Sequence, residues 1–207
     1  PSNPGIALGE VFGILKKSGL ETRISNLVFE QYIYNHIVSV NRSKLRIPSD
    51  ETRPSIYVKD GRLDMRLVLE RFAALMKAEY RAEYGALIEK EWRLLFLTFL
   101  RPIINGTGTY AVEAETRGNT RMDVVVFYGN EEHIVELKLW HGRKQETEAY
   151  SPLAGYLESR GQHRGYLISF YGLKKPPKRG GWLSRDDHEI YEEIIPYSTG
   201  DEVRPMA

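Results

Sequence analysis

The chain has no cysteine among its 207 residues. Disulfides, thiolate nucleophiles and thiolate-bound zinc are therefore excluded, and the expected location is cytoplasmic. No apolar run approaches the roughly 18 residues that suggest a membrane span, so no membrane is expected as a partner. The opening residues, PSNPG, carry no secretory signal and no initiating Met, which suggests a fragment or a processed product. No G-x-x-x-x-G-K-[S/T] occurs, and ATP binding through a P-loop is excluded with it. An excess of one charge is also missing. Lys and Arg total 29 against 28 Asp and Glu, so attraction for nucleic acid must be local. The five histidines, His36, His133, His141, His163 and His188, lack metal-ligand spacing and read as surface or edge residues.

What is present is ample apolar material, 42% hydrophobic against 28% charged, in a chain long enough to bury a substantial core. From Gly5 to Val40 the apolar spacing is helical, with KKSGL reading as a helix end at Gly19 and a second helix over Ile24 to Val40. A polar, proline-bearing connection from Asn41 to Pro54 divides a helical segment, residues 1–53, from a main domain, residues 54–207. Helices are expected over Met65–Arg81 and Tyr84–Leu100, the latter ended by Pro102. Short strands follow: TYAVEAET, DVVVFY, HIVELKL, then GYLISFY after another helix, and HEIYEEII. Helices flanking a sheet, with no repeat and no low-complexity tract, define an α/β or α+β domain. Basic clusters stand at Asn41–Arg46, Ser159–Gly165 and Lys174–Arg185. The last interleaves Lys174, Lys175, Lys178 and Arg179 with Pro, Gly and Trp182. It reads as a mobile loop that either is simply solvated or tracks phosphates and stacks a base.

The stretch RMDVVVFYGNEEHIVELKLWHG, Arg121 to Gly142, poses the chemical question. Ionised groups at half-buried strand positions cost free energy unless they are paired or bind a metal. A turn centred between Asn130 and Glu131 would set Asp123 opposite Lys138 and Val125 opposite Glu136. Asp123, Glu136 and Lys138 then share one face, and Val135, Leu137 and Leu139 the other. Two carboxylates so placed can share a hard divalent cation through oxygen, with the lysine beside it. The plainer alternative is a cross-strand salt bridge worth about 0–1 kcal/mol. In the third helix Glu91 has Leu87, Ile88, Leu94 and Leu95 at helical neighbour positions, which places it on the inward face. An inward carboxylate needs a partner: the metal cluster, or an arginine such as Arg101 or Arg121.

A helix Glu, then Asp, then Glu-x-Lys on the next strand, then a helix, resembles the PD-(D/E)XK nuclease superfamily, with Met122 in place of the proline. The likeness extends to the branch found C-terminal to AAA-like ATPase domains in bacteria and archaea. It is carried by ISNLVFEQYIYNHI, VKDGRLDMRLVLERFAALM, RPIING (Arg101 to Gly106), HIVELKLWHG and LAGYLESRGQHRGYLISF, and covers most of the chain. The resemblance implies a restriction-endonuclease-like mixed sheet flanked by helices, preceded by a winged-helix-like remnant. It implies Mg²⁺ or Mn²⁺ held by Asp123 and Glu136, Glu91 as helper to the metal or its water, and Lys138 orienting or activating the attacking water. The implied substrate is nucleic acid, DNA first, and the implied partner an AAA-like ATPase domain in cis or in trans. A two-strand cut would favour a homodimer. Two departures stand out: Pro152 occupies the place of a glutamine in a QLADYL-like block, and FYG replaces an FDF-like strand end. The alternatives are a catalytically impaired nuclease-fold module that binds nucleic acid, and a protein-interaction domain for the ATPase.

Overall fold

A computed structural model describes residues 3–18, 21–26, 28–29, 32–33, 35–37, 47–78, 89–115, 121–140, 150–172, 180–185 and 187–196. The chain divides into two compact units, Pro1–Leu45 and Arg46–Ala207.

In the first unit α1 spans Pro4–Val11. The Asn3 side chain accepts the Gly5 N–H at 2.9 Å, and Pro4 takes the first helical position, where its missing N–H is not needed. Gly13, with φ of 69°, ends the helix, six residues before the expected stop at Gly19. The KKS run is therefore not a helix end. It lies in β1, Leu15–Ser18, paired antiparallel with β2, Glu21–Ile24. Asn26 Oδ1 accepts the N–H groups of Val28 and Phe29, so the next helical stretch starts after Asn26 rather than at Ile24. Of that expected helix, Ile24 ends β2, Ser25 and Asn26 form a bend, residues 28–29, 32–33 and 35–37 are helical, and the others lie outside the described residues.

The second unit opens with a 3-10 turn (Ser49–Thr52), followed by a short helix, α2 (Pro54–Tyr57), and a hairpin of β3 (Val58–Lys59) and β4 (Arg62–Leu63). Asp60 and Gly61 both take positive φ at its turn, as a tight two-residue hairpin loop requires. Asp64 then caps α3, Met65–Ala78, by accepting the Leu67 N–H at 3.0 Å. The helix buries Met65, Val68, Leu69, Phe72, Ala73 and Met76, one stripe at helical spacing. Next comes α4, Glu89–Ile104, which runs two residues past Pro102 instead of stopping before it. In the last turn the proline costs only one intrahelical hydrogen bond, and the buried Ile103 and Ile104 hold the chain in place.

Six strands form the main sheet: β5 (Gly108–Glu115), β6 (Arg121–Tyr128), β7 (Glu131–Trp140), β8 (Arg164–Tyr171), β9 (Gly181–Arg185) and β10 (His188–Pro196). Their order is β5-β6-β7-β8-β10-β9. Pairing is antiparallel from β5 to β7, parallel from β7 through β8 to β10, and antiparallel again at β9. A helix, α5 (Tyr150–Arg160), makes the crossover from β7 to β8 that parallel strands need. The expected mixed α/β architecture is observed. The GGWLSR segment is a correction: Gly181–Arg185 is an edge strand, not loop, because Trp182 and Leu183 find register partners in Tyr191 and Ile190.

Helices α3 and α4 pack on one face of the sheet. Trp92 stacks on Phe170 with ring centroids 4.3 Å apart, and Phe72 meets Phe96 edge-on at 5.3 Å. On the other face Leu153, Tyr156 and Leu157 of α5 cover Val125, Ile134, Leu167 and Ile190. A Cβ on Gly165 would lie 2.9 Å from Leu157 and 3.1 Å from Leu153, so the helix sits this close to β8 only because that residue is glycine. Among the described residues no helix is long and apolar enough to cross a membrane.

Candidate active site

The β6–β7 hairpin turns at Gly129 and Asn130, with Tyr128 facing Glu131 and Gly129 at φ 57°. This differs by two residues from the expected register: Val125 faces Ile134, not Glu136. The turn sits one position earlier because glycine is the residue that accepts positive φ there. A two-residue shift leaves every side chain on its face, since strand alternation has period 2. The paired ladder stops at Val124–Val135, so the expected Asp123–Lys138 pairing is not formed.

The ladder between β6 and β7 runs from Tyr128–Glu131 to Val124–Val135. Beyond it the start of β6 stays with β5, through Ala114–Met122, while the end of β7 stays with β8, through Trp140–Tyr171. Asp123 stands at the point where the two strands part. Its Oδ2 accepts the Leu137 N–H at 2.9 Å, taking the place of a backbone acceptor. Its Oδ1 meets a guanidinium nitrogen of Arg93, from α4, at 3.2 Å. Glu136, only 4% exposed, has Oε1 3.6 Å from Lys138 Nζ. Lys138 keeps about a third of its side chain in solvent (33%), so this cation lies at the rim of the cluster. Tyr156 of α5 stands over both acids. Burial, and then the negative charges of Glu136 and Asp123, push its hydroxyl up to about 12, which keeps it a proton donor through the neutral range.

Glu91 is not where the helical pattern put it. It is exposed, and Trp92 and Arg93 take the inward positions of that turn, because the buried stripe of α4 runs through Trp92, Phe96, Phe99 and Ile103. The α4 contact with Asp123 is made by Arg93, which is 5% exposed. Trp92 seated inward carries its basic neighbour Arg93 inward with it, a choice that apolar spacing alone does not make between Glu91 and Arg93.

Pro152 lies in the first turn of α5, where the backbone N–H has no intrahelical acceptor to lose. The proline is thus accommodated without loss of a helical hydrogen bond. His133 is buried, not a surface residue, and its burial lowers its pKa. Lys174, Lys175, Lys178 and Arg179 lie outside the described residues. Trp182 is 45% exposed with the Arg164 guanidinium 4.8 Å over its ring, but its register partner is Tyr191. That row places it on the α3/α4 face, opposite the face of Glu136 and Lys138.

One buried acid was not anticipated. Glu192 lies in the same sheet row as Glu136, with Leu167 between them, and accepts the Tyr150 O–H at 2.8 Å and the Ser169 O–H at 2.5 Å. Its position between Ile190 and Ile194 on one face of HEIYEEII was the available clue. Among the described residues no three His, Asp and Glu side chains gather about one point. No family model, curated protein or solved structure matches the chain.

Proposed function

We propose that the chain is a divalent-metal-dependent nuclease of the PD-(D/E)XK kind, hydrolysing phosphodiester bonds of nucleic acid, with DNA the first substrate to test. One observation carries the reading: Asp123 and Glu136 lie on one face where two strands separate, both close enough to act on the Tyr156 hydroxyl, with Lys138 at the rim of the same face. The restriction-endonuclease-like fold belongs to the same proposal. It is supported by a helix, an antiparallel three-strand unit bearing the acids and lysine, a crossover helix and a parallel fourth strand, in that order.

The donor set suits magnesium or manganese. Both acids offer hard carboxylate oxygens, and each already attracts a cation, Arg93 at Asp123 and Lys138 at Glu136. Asp123 and Glu136 would hold the ion, which when bound lowers the pKa of a coordinated water and stabilises charge on the phosphoryl oxygens. The protein's own groups do the rest. Lys138, a third of its side chain in solvent, would supply a fixed positive charge and N–H donors to a phosphoryl oxygen or the attacking water. Tyr156, held protonated, donates a hydrogen bond beside the acids and does not compete as a base. The Leu137 N–H fixes the rotation of the Asp123 carboxylate. Exposed on the first turn of α4, Glu91 remains accessible to a bound water as the proposed helper. In the same proposal, an AAA-like ATPase domain in cis or in trans would govern access to the cleft.

Cleavage of supercoiled plasmid and of single-stranded DNA with Mg²⁺ or Mn²⁺ tests this, run beside Asp123→Asn and Lys138→Ala. Metal-dependent nicking lost in both variants is expected. Equal nicking by wild type and both variants would show a contaminant and remove the proposal.

A further inference from the structure

Arg93 enters the site from the wrong side for a substrate contact. It belongs to α4, which packs on the Phe170 face of the sheet, and it reaches Asp123 where the ladder between β6 and β7 has ended. Only 7% of its side chain is exposed, so no phosphate in the Lys138 rim can replace its neighbours without prising the helix away. Its charge is permanent, because a guanidinium is not deprotonated in proteins. Two ionised acids on one face of the sheet would repel each other, and this cation offsets that repulsion at the Asp123 end as Lys138 does at the Glu136 end.

The oxygens of Asp123 divide their work. Oδ2 is committed to the Leu137 backbone, and Oδ1 is the one that meets Arg93. A divalent ion drawn to Asp123 therefore comes into competition with a guanidinium already there. We propose that Arg93 is a resident counter-cation, displaced from Asp123 when a divalent metal binds, and that it sets the metal concentration at which the site fills. This rests on the metal-site reading above. It makes Arg93 a positioning residue: it touches neither substrate nor reacting atoms, and acts by keeping the two acids near charge balance and the fold intact around them.

The test measures Mn²⁺ binding by calorimetry on the full chain, with no nucleic acid present, for wild type, Arg93→Gln and Arg93→Met. Glutamine keeps an N–H donor for Asp123 and removes the charge, whereas methionine removes both. Both variants are expected to bind Mn²⁺ at least about tenfold more tightly, since a unit charge a few ångströms from the ion opposes its entry even at surface-like dielectric. Their thermal midpoints should also rise further with added Mn²⁺ than the wild type's does. Affinity unchanged within about twofold, or weaker, in a folded variant would overturn the proposal and leave the metal site standing, with Arg93 merely orienting a ligand. No Mn²⁺ binding by any of the three chains at millimolar metal would overturn the metal-site reading and this inference together. Should both neutral variants fail to fold, recovery of the fold on adding Mn²⁺ supports the exchange and failure to recover overturns it.

Discussion

Replacing Asp123 by alanine removes two contacts at once, and their cost can be worked from the structure. The Arg93 guanidinium, 7% exposed, loses its 3.2 Å carboxylate partner, and the Leu137 N–H loses its acceptor. Breaking a buried ion pair by deleting one member costs about 3–5 kcal/mol, and an orphaned buried N–H about 1–3 kcal/mol. Asp123 itself is 14% exposed, so water reaches part of the gap, and the lower end of the combined range applies, about 4 kcal/mol. Asp123→Asn should lose about half of that, because the amide oxygen still accepts from Leu137 while the charge is gone. In the double variant Asp123→Ala with Arg93→Met the loss should be smaller than the sum of the two single losses by at least about 1 kcal/mol, the signature of a direct pair. Urea unfolding in metal-free buffer at neutral pH reads all four values. Asp123→Ala within about 0.5 kcal/mol of wild type, or strictly additive losses, would refute the placement of Arg93 on Asp123.

Other expectations follow from the same coordinates. Tyr57, Tyr156 and Tyr166 are pushed up to about 12 by burial, and Tyr150 and Tyr191 are raised as well. A raised pKa means the folded chain retains protons that the unfolded chain releases near pH 10, so stability holds below pH 10 and falls as pH rises toward 12. Tyrosinate absorbance should accordingly appear together with unfolding, and a smooth titration centred near 10 in the folded state would contradict it. For buried His133 the sign is opposite: its lowered pKa gives stability that is present above about pH 6.5 and lost as the pH falls below it. His133→Phe should flatten the urea midpoint between pH 7 and 5, and an unchanged slope would count against its burial. Gly165→Ala forces Leu153 and Leu157 to give way and should cost about 1–3 kcal/mol by thermal unfolding, lifting the helix that carries Tyr156. Because Glu91 is exposed, Glu91→Ala should leave stability within about 0.5 kcal/mol while cleavage falls. Wild-type cleavage rates in that variant would remove Glu91 from the helper role.

The strands of the sheet were legible because each is a short β-branched or aromatic run between turn signals. VVVFY, HIVELKL, GYLISFY and HEIYEEII all appear within a few residues of their expected bounds. The face shared by Asp123, Glu136 and Lys138 was legible too, since face depends on parity and the two-residue error in register preserved it. What was not legible lies in tertiary competition. Glu91 and Arg93 both have apolar helical neighbours, and only the bulk of Trp92 seated against Phe170 decides which charge goes inward. GGWLSR carries strand residues under a basic, glycine-rich disguise, and its pairing depends on Tyr191 and Ile190, presented by a strand that follows it in the chain. KKSGL failed because Gly13 had already ended the helix.

The two-residue turn at Gly129 and Asn130 bears on the order in which the molecule assembles. A hairpin so tightly closed forms in about 1–10 microseconds. The parallel pairings of β7, β8 and β10 join segments tens of residues apart and must wait for slow loop closure. Asp123 and Glu136 are thus brought onto one face early in the chain's history, on a scaffold still lacking its partner strands. Val125→Ala, in the hairpin, should slow folding nearly in proportion to its destabilisation, whereas Ile190→Ala should mainly speed unfolding. The reverse pattern in a stopped-flow chevron would mean that the acidic pair is assembled last, after the sheet that surrounds it.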